Sequence, residues 1–566
     1  MLKRSDDKYL RSCSKVEPID EQYDEEDDDD DDDDEGDHRS NEVHHRATDR
    51  VAWLAEKLDD LRNTASGSSD DEQETRTIRY VPDILERIDE NRLVYRAEGN
   101  ANIVLSLSDN KHVLRMRKSN VESREGKSDT NVDLRRFVKY SKVIASQFSE
   151  CYVPAPKLAH LNTCNLQVFN ERLRYFRPAM RLGKEIRELD GILYPDVAFL
   201  PMWLYPARVR DFSQDPKISS TPPTHYQTYC VEIKPKQGWL AYEFCDNIPL
   251  PELTNGRDLR KCRYCLHQYL KLQKKSIAKI SKYCPLDLYS GKPVRVLQAV
   301  KGLIGAPQNN FKILKNGKIV YDDKREKSMY NRILREMFPR DGRTKDERST
   351  IFINLIKEIL LKDFTTNDEH CDRKLLSIKK DRKKKDKNQL HYRACNPVSQ
   401  QFLPKSCALR QILDVQLLVK SSISTIDPST LTKSRTDPYS YIDDIYEKYM
   451  NYKEDTVYDG RNSTTWPKEP FSTEYLSEEE KYQLGATALD CSIMITFRRL
   501  SGDRAEENSL NEAARNHIVS IEGMKFLVNV TITDLDPKSH KHYGKYVEQL
   551  GASAVAYREF MSKMRR

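Results

Sequence analysis

The segment Val231-Glu-Ile-Lys-Pro-Lys-Gln-Gly-Trp239 carries one acid and two lysines within an otherwise apolar, strand-like pattern. Because alternate residues of a β-strand face the same side, Glu232, Lys234 and Lys236 are expected to share one face. A carboxylate and two ammonium groups directed together from a rigid element suit the binding of a polyphosphate. An amphipathic edge strand with a solvated charged face would give the same pattern, and Pro235 is compatible with an edge position.

Two acids lie at the ends of strand patterns nearer the C-terminus. Cys491–Phe497 and Lys525–Thr533 are predicted strands, with Asp490 directly before the first and Asp534 directly after the second. Carboxylates at such ends can bind Mg²⁺, and they can orient or deprotonate an attacking hydroxyl group. Each acid could instead be the cap of a helix or turn.

A predicted hairpin offers a further phosphate-binding element. The turn Glu98–Asn100 separates the predicted strands Arg92–Ala97 and Ala101–Leu107, and it could present backbone N–H groups to phosphates. A third predicted strand, His112–Met116, carries Arg115 as a candidate cation. Neither signal is specific, since one glycine in a hairpin is common and a strand arginine is commonly a surface residue.

The remaining patterns predict an α+β fold in which helices follow and alternate with strands. Apolar residues at helical spacing predict a helix over Val132–Phe148. Further predicted strands are Val197–Leu200 and Tyr229–Ile233, and further predicted helices are Cys262–Ile277, Ala299–Ile304 and Ala408–Lys420.

Charge is distributed unevenly along the 566 residues, because the net charge of +6 includes an unbroken acidic run, Asp24–Glu35. Residues 1–75 are expected to be a mostly disordered acidic tail, since like charges repel and few apolar residues could form a core. Residues 341–406 are expected to be a variable, flexible insertion. Its basic run, Lys379–Lys387, is explained by solvation or by nuclear localisation.

The basic remainder of the chain fits an anionic substrate, a nucleic acid or a membrane surface. We find no apolar run of membrane-spanning length and no signal-peptide hydrophobic region, so residence in the cytoplasm, the nucleus or both is expected. Nucleic acid is disfavoured as a partner, because the basic run lacks interleaved aromatic residues. A monomer is expected.

The twelve cysteines are expected to be reduced thiols or metal ligands. Cys262 and Cys265 have the Cys-x-x-Cys spacing of a zinc site, with Cys245 and Cys284 as candidate third and fourth ligands. The same two residues would fall on one face of the predicted helix, so a pair of buried thiols is an equally consistent interpretation.

Eight blocks in order resemble the inositol-pentakisphosphate 2-kinase family, whose members transfer the ATP γ-phosphate to the axial 2-hydroxyl of inositol pentakisphosphate. One of them is the Glu-Ile-Lys-Pro-Lys segment, the EXKPK motif of that family. The others are Tyr95–Asn102, Val113–Lys118, Cys262–Lys271, Tyr283–Gly291, Pro307–Lys312, Asp490–Ile495 and Asp534–Lys538.

The resemblance implies a two-lobed, kinase-like fold with ATP and Mg²⁺ as cofactors. Residues 76–185 would form a small N-terminal lobe with the nucleotide loop, and residues 186–566 a larger C-terminal lobe with the inositol phosphate site. Asp490 and Lys234 would be catalytic, and Asp534 with Asp490 would hold Mg²⁺. The implied ATP-binding residues are Ala97, Glu98, Gly99, Asn100, Arg115, Met202, Glu232, Lys234, Lys312 and Asp534.

The resemblance also implies an inositol phosphate site rich in cations. Its residues would be Arg181, Lys236, His267, Lys271, Asn309, Asn310, Asp490, Lys538, His542 and Tyr546. Lys312 stands where relatives carry an arginine, so the charge is kept and the bidentate fork is lost. His542 stands where relatives carry a basic residue, and a neutral imidazole would add a hydrogen bond and little charge.

Two questions stay open after this resemblance, the binding of zinc and the presence of catalytic activity. Plant relatives carry a structural zinc in a late Cys-x-x-Cys/His cluster, and that spacing is missing here. A non-catalytic polyanion-binding protein would keep the cations without turnover. The retention of Glu232, Lys234, Asp490 and Asp534 argues for the kinase.

Overall fold

The computed structural model of the chain describes residues 86–99, 101–109, 111–120, 133–205, 227–240, 261–338, 342–365, 395, 402–423, 425–426, 437–457, 471–502 and 504–565. Four sequence predictions fall outside these residues. They concern the acidic tail 1–75, Asn100 of the nucleotide loop, Cys245 as a zinc ligand, and the basic run Lys379–Lys387.

The N-terminal part forms a six-stranded sheet with the strand order β1-β6-β8-β4-β3-β2. Only β1 and β6 pair in parallel, and the other neighbours are antiparallel. The inward-facing residues of β3 and β4, among them Leu105 and Met116, are fully buried, as their alternating pattern predicts. The strands are β1 (Glu86–Asp89), β2 (Leu93–Glu98), β3 (Asn102–Leu107), β4 (His112–Arg117), β6 (Lys157–Asn162) and β8 (Asp190–Pro195).

The C-terminal part contains a second six-stranded sheet, which we call the large sheet. It is wholly antiparallel with the order β11-β10-β9-β12-β14-β13. A separate two-stranded sheet pairs β5 (Ser119–Asn120) with β7 (Lys184–Glu185). The strands of the large sheet are β9 (Tyr229–Ile233), β10 (Phe311–Lys315), β11 (Lys318–Tyr321), β12 (Ser492–Arg499), β13 (Ile518–Ile521) and β14 (Met524–Thr533).

The described residues form helices as well as sheets, so the fold is of the mixed α+β class. The first helix buries Phe137, Val138 and Ile144, the residues whose spacing predicts it, and these side chains belong to the main hydrophobic cluster of the protein. The helices are α1 (Leu134–Ala145), α2 (Leu166–Arg174), α3 (Arg263–Gln273), α4 (Pro285–Leu288), α5 (Pro293–Gly305), α6 (Lys327–Met337), α7 (Lys345–Leu361), α8 (Ala408–Ser422), α9 (Tyr441–Val457), α10 (Glu478–Thr487), α11 (Arg504–Asn508), α12 (Glu512–Arg515) and α13 (His542–Arg565). Within the described part of the chain, none of them is both long and apolar enough to cross a bilayer.

The strand predicted at Val197–Leu200 is wrong. The strand lies earlier, at Asp190–Pro195, and the Asp196 carboxylate then accepts a hydrogen bond from the Ala198 N–H at 3.0 Å. A short acidic side chain bonded two residues ahead makes a turn, which ends the strand.

The segment 341–406 begins with an ordered core helix, which corrects the expectation of a flexible insertion for its first part. In α7 the Thr344 side chain accepts from the Glu347 N–H, and the Glu347 side chain accepts from the Thr344 N–H. This reciprocal capping box marks a helix start, and the apolar residues from Ile351 to Leu361 that follow it are buried. Removing a large one, such as Phe352 by truncation to alanine, should cost about 3–5 kcal/mol.

Candidate functional site

Four strand ends of the large sheet meet along one edge. In the ladder, Ile233 at the end of β9 lies opposite Phe311 at the start of β10 and Ile493 at the start of β12. Ser492 in turn lies opposite Thr533 at the end of β14. The residues just beyond these ends are therefore brought together. Among them are the candidates Asn310, Lys234, Asp490 and Asp534.

Glu232 and Lys312 form an ion pair across two neighbouring strands. They are direct partners in the β9–β10 ladder, and their Oε2 and Nζ atoms lie 3.3 Å apart. Both side chains are largely shielded from solvent. The opposite charges of the two side chains therefore compensate each other.

The two lysines of the motif lie beyond the strand, which ends at Ile233. The prediction that Glu232, Lys234 and Lys236 share one strand face is therefore wrong. Lys234 donates its backbone N–H to the Asn310 carbonyl at 3.0 Å, and Lys236 adopts a left-handed conformation with φ of 58°. That conformation costs a residue with a Cβ about 1–2 kcal/mol, so the surrounding contacts must hold it in place.

Lys236 directs its ammonium group at Asp490. The distance from Lys236 Nζ to Asp490 Oδ1 is 2.6 Å, and about half of the Asp490 side-chain surface (51%) remains exposed. Burial of the carboxyl group opposes its ionisation, but Lys236, Lys234 and Lys538 together hold the pKa of Asp490 well below its usual range. Asp490 is thus a carboxylate at neutral pH with a free surface for a ligand.

Asp534 lies across the β12–β14 ladder from this pair and is exposed. Its Oδ2 atom accepts a hydrogen bond from the Ser492 hydroxyl at 2.7 Å, and its backbone is left-handed with φ of 59°. Non-glycine residues in this conformation are concentrated at functional sites, where the surrounding structure maintains the strain. The carboxylate is oriented by Ser492 while facing solvent.

Arg115 extends from β4 of the N-terminal sheet to the segment after β14. Its Nη1 atom lies 2.7 Å from Asp536 Oδ1, its Nη2 atom contacts Asp536 Oδ2, and its guanidinium lies 5.6 Å from the Phe137 ring centroid. Burial by itself would lower the pKa of Arg115, but the charge of Asp536 outweighs it and raises the pKa further above its ordinary value. This bidentate pair places an arginine close to Asp534.

A second set of candidates surrounds the Lys236–Asp490 pair with cations. The electrostatic environment of His267 includes Lys271 and Lys236, and that of His542 includes Lys538. Burial, followed by these positive neighbours, lowers the pKa of both His267 and His542 to about 3. Both imidazoles are neutral at pH 7, which agrees with the expectation of little charge from His542.

Tyr546 and Asn310 are buried beneath this set. The Tyr546 hydroxyl donates to Gln237 Oε1 at 2.8 Å and its ring lies 4.6 Å from the Arg263 guanidinium. Asn310 donates from Nδ2 to the Tyr264 hydroxyl at 3.3 Å, whereas Asn309 is exposed. Tyr546 therefore supports Gln237 and Arg263, and of the two asparagines Asn309 is the one accessible to a ligand.

The structure places the Glu98 side chain in a buried ion cluster, which leaves the backbone of this residue for the predicted contact with ATP phosphates. The carboxylate receives two hydrogen bonds of 2.9 Å from Arg177 and contacts the Lys118 ammonium. The side chains of Glu98, Arg177 and Lys118 are 0%, 1% and 1% exposed. In the same turn the Gly99 N–H is already bonded to the Asn102 carbonyl at 3.0 Å, and Ala97 lies within β2 opposite Val104.

Two further candidates lie apart from the edge of the large sheet. The Arg181 carbonyl accepts from Arg177 at 2.6 Å, which places this residue beside the Glu98 cluster. Met202 begins a short 3₁₀ turn and packs against the cluster formed by Leu200, Leu204 and Leu527. The predicted roles of Arg181 and Met202 in ligand binding stay predictions.

Four cysteines converge at the N-terminus of α3. Their sulfur atoms all lie within 4.8 Å of one another, with 4.0 Å between Cys262 and Cys284 and 3.7 Å between Cys284 and Cys395. Cys262, Cys265 and Cys284 were expected in such a cluster. Its fourth described member is Cys395, which lies 111 residues beyond Cys284 and has no spacing signal.

Comparison with known proteins identifies the family. The family model described as inositol-pentakisphosphate 2-kinase matches residues 95–550. The chain belongs to this family. It is 29% identical over 489 residues to the inositol-pentakisphosphate 2-kinase of Danio rerio, which covers 81% of this chain and 91% of that protein.

Other members of the family are more distant. The inositol-pentakisphosphate 2-kinase of Drosophila melanogaster is 27% identical over 354 residues, covering 50% of this chain and 55% of that protein. That of Arabidopsis thaliana is 24% identical over 443 residues, covering 73% of this chain and 83% of that protein. The resemblance seen in the sequence blocks is thus confirmed.

Sequence reasoning missed two residues that organise this family member's site. Asp536 lies inside the block Asp534–Lys538, so its charge was visible, but nothing local pairs it with Arg115 across 421 residues. Gln416 lies in α8, and its amide contacts both the motif segment and the segment before Asp490. A glutamine in a helix carries no sequence signal for such a role.

Proposed function

We propose that this chain transfers the γ-phosphate of ATP to the 2-hydroxyl of inositol 1,3,4,5,6-pentakisphosphate, forming inositol hexakisphosphate. Membership in the family supports the reaction class, and the 2.6 Å contact of Lys236 with Asp490 supports the location of the reacting hydroxyl. Phosphoryl transfer depends mainly on positioning and charge stabilisation. The edge where Lys234, Lys236, Asp490 and Asp534 meet offers both.

In this proposal Asp490 orients the attacking hydroxyl. Its low pKa makes it a weak base, so a hydrogen bond that aligns the hydroxyl is favoured over removal of the proton before transfer. Lys236 fixes one carboxylate oxygen, which leaves the exposed remainder of the carboxylate for the substrate. A loose transition state requires little deprotonation of the acceptor in advance.

The nucleotide would be held from the other side of the same edge. The residues proposed to bind it are Arg115, Glu232, Lys234 and Lys312, with Asp534 and Asp490 as the carboxylates for Mg²⁺. These acids fit a hard cation that prefers oxygen ligands, because Asp534 is exposed and already oriented by Ser492. The ion would neutralise charge on the ATP phosphates.

The inositol phosphate would lie among the cations around Asp490. Lys236, Lys271 and Lys538 supply positive charge, and the neutral His267 and His542 supply hydrogen bonds. A substrate with five phosphates needs this density of donors.

We also propose that the two six-stranded sheets correspond to the two lobes of a kinase-like fold. The antiparallel strands β2, β3 and β4 would form the small lobe, and the sheet that contains β9 and β12 would form the large one. The Arg115–Asp536 pair connects them, because Arg115 belongs to β4 and Asp536 follows β14.

We propose that the four cysteines hold a structural zinc ion. Tetrahedral ligands at Zn–S distances of about 2.3 Å place sulfur atoms about 3.8 Å apart. The separations of 4.0 Å and 3.7 Å fit this geometry, and the Cys262 sulfur already accepts from the Cys265 N–H at 3.4 Å. The ion would tie Cys395 to the start of α3.

The zinc proposal is tested by metal analysis of the purified protein. We expect one zinc per chain, and we expect Cys395→Ala to lose it and to unfold at a lower temperature. Cys407→Ala, a buried cysteine outside the cluster, is the matched control. Full zinc content in Cys395→Ala would refute the assignment.

The function is tested by incubating the protein with Mg-ATP and inositol 1,3,4,5,6-pentakisphosphate and separating the products by anion exchange. We expect inositol hexakisphosphate from the wild type. Asp490→Asn should lose at least about 10²-fold in kcat. Asp414→Asn, which changes an acid paired with Arg410 on α8, is the control and should remain active. Binding of the pentakisphosphate without any product would instead indicate a polyanion-binding protein.

A further inference from the structure

A buried glutamine joins the two segments that carry the proposed catalytic pair. Gln416 lies in α8 and is 0% exposed. Its Nε2 group donates to the Lys236 carbonyl at 3.0 Å and to the Ala488 carbonyl at 2.8 Å. Its Oε1 atom accepts from the Gly238 N–H at 2.9 Å. One side chain thus bonds to the backbone on either side of Gln237 and to the backbone two residues before Asp490.

The contacts of Gln416 depend on two close approaches that only glycine permits. A Cβ on Gly485 would lie 2.9 Å from the Val415 carbonyl oxygen, so glycine allows α10 to pack directly on α8. A Cβ on Gly238 would lie 2.5 Å from the Tyr289 ring, which itself packs beside the Gln416 amide. Both glycines bring backbone within reach of a side chain of fixed length.

The amide is well suited to hold the two segments in register. Lys236 is left-handed, and its partly buried carbonyl takes its hydrogen bond from α8. The Ala488 carbonyl lies at the end of α10, where helical carbonyls lack partners within the helix. Satisfying both from one planar group fixes the separation of the two segments, and hence of Lys236 and Asp490.

We propose that Gln416 is a positioning residue that sets the Lys236–Asp490 distance for phosphoryl transfer. This inference rests on the proposed catalytic role of that pair. Gln416 touches neither substrate nor reacting atoms, so its removal should lower kcat through misalignment of Asp490. Because displacements near 1 Å can cost about 10²-fold in rate, a loss of roughly 10- to 100-fold in kcat is expected.

The same helix offers a matched control. Gln411 also uses its amide to bridge segments, donating to the Ser149 hydroxyl at 2.7 Å and to the Ser406 carbonyl at 3.2 Å, and accepting from the Ser149 N–H at 2.8 Å. It lies one and a half turns from Gln416 and contacts none of the segments that carry the proposed pair. Gln411→Met should therefore alter stability with little change in kcat.

The experiment compares Gln416→Met with Gln411→Met by steady-state kinetics and thermal unfolding. We expect both to unfold at lower temperatures, and only Gln416→Met to lose kcat, with the KM for ATP nearly unchanged. If Gln416→Met does not fold, Gln416→Glu and Gln411→Glu replace the pair. Gln416→Glu keeps the acceptor for Gly238 and removes the donations to the two carbonyls.

The outcomes separate this inference from the function on which it rests. Equal kcat values for the Gln416 and Gln411 variants, with Asp490→Asn inactive, would overturn the role of Gln416 and leave the catalytic pair intact. Full activity in Asp490→Asn would overturn the catalytic pair itself. A selective loss of kcat in the Gln416 variant, together with an inactive Asp490→Asn, would support both.

Discussion

Replacement of Glu98 by glutamine distinguishes a nucleotide ligand from a structural ion cluster. In the structure the Glu98 carboxylate is the counter-charge of both Arg177 and Lys118, and none of the three side chains is more than 1% exposed. Glutamine has nearly the same shape but carries no charge, so two buried cations would lose their compensation. The perturbation therefore tests charge with little change in packing.

The expected magnitude follows from the burial of the cluster. Removing one partner of a fully buried ion pair costs about 3–5 kcal/mol, because the remaining charge is left uncompensated. Typical domains are stable by only about 5–15 kcal/mol, so Glu98→Gln should open β2, β3 and β4 measurably. The KM for ATP, measured at low temperature where the variant is folded, should stay close to that of the wild type.

The assay is urea unfolding followed by circular dichroism, with hydrogen exchange of peptides from β2 to β4. Glu507→Gln, which removes a partly exposed partner of Lys525, serves as the control and should cost no more than about 1 kcal/mol. The triple variant Glu98→Leu, Lys118→Met, Arg177→Met should recover most of the loss, because it removes all three charges together. A stability loss below about 1 kcal/mol with a raised KM for ATP would refute the structural role.

Three further predictions concern the edge of the large sheet. Lys236→Ala should raise the KM for inositol pentakisphosphate about tenfold or more, and Lys312→Ala should do so for ATP; the opposite pattern would exchange the two assignments. Asp536→Ala should raise the KM for ATP and add nothing in an Arg115→Ala background, since it acts by holding that arginine; an additive effect would indicate an independent role. Burial, together with Lys538 and Arg263, lowers the pKa of His542 to about 3. Between about pH 6.5 and pH 3 the unfolded chain therefore binds a proton at this imidazole and the native chain does not. Stability should therefore fall from pH 6.5 towards pH 3 by up to about 1.4 kcal/mol per pH unit from this residue, and His542→Gln should flatten that decline in urea midpoints; an unchanged slope would contradict it.

The pattern of apolar residues predicted the main elements closely. The hairpin strands, α1, α8, β9 and the strands beside Asp490 and Asp534 lie within a few residues of the predicted bounds. Period-two alternation and helical spacing are local properties, so they can be recognised without the tertiary structure. The family resemblance assigned Glu232, Lys234, Asp490 and Asp534 to one site, and the strand ladders bring the ends of β9, β12 and β14 to one edge.

Some side-chain environments depend on partners that are distant in the sequence. Glu98 is next to the predicted nucleotide loop, but its partner Arg177 is 79 residues away and fixes its side chain in the interior. The assignment of Met202 depended on the strand predicted at Val197–Leu200, which the turn at Asp196 displaces. The capping box at Thr344 was a local signal for α7 that outweighs the polar flanks of the segment.

By itself, the sequence determined the α+β class, the strands that carry the acids and the family to which the chain belongs. Hydrophobic periodicity and the order of motifs are properties of the sequence, so both can be recognised without the tertiary structure. Only the tertiary structure decided that Cys395 completes the cysteine cluster, that Asp536 holds Arg115 and that Gln416 joins the segments of Lys236 and Asp490. Each of these contacts joins residues more than 70 positions apart, and such pairing is set by how the two sheets and their helices pack.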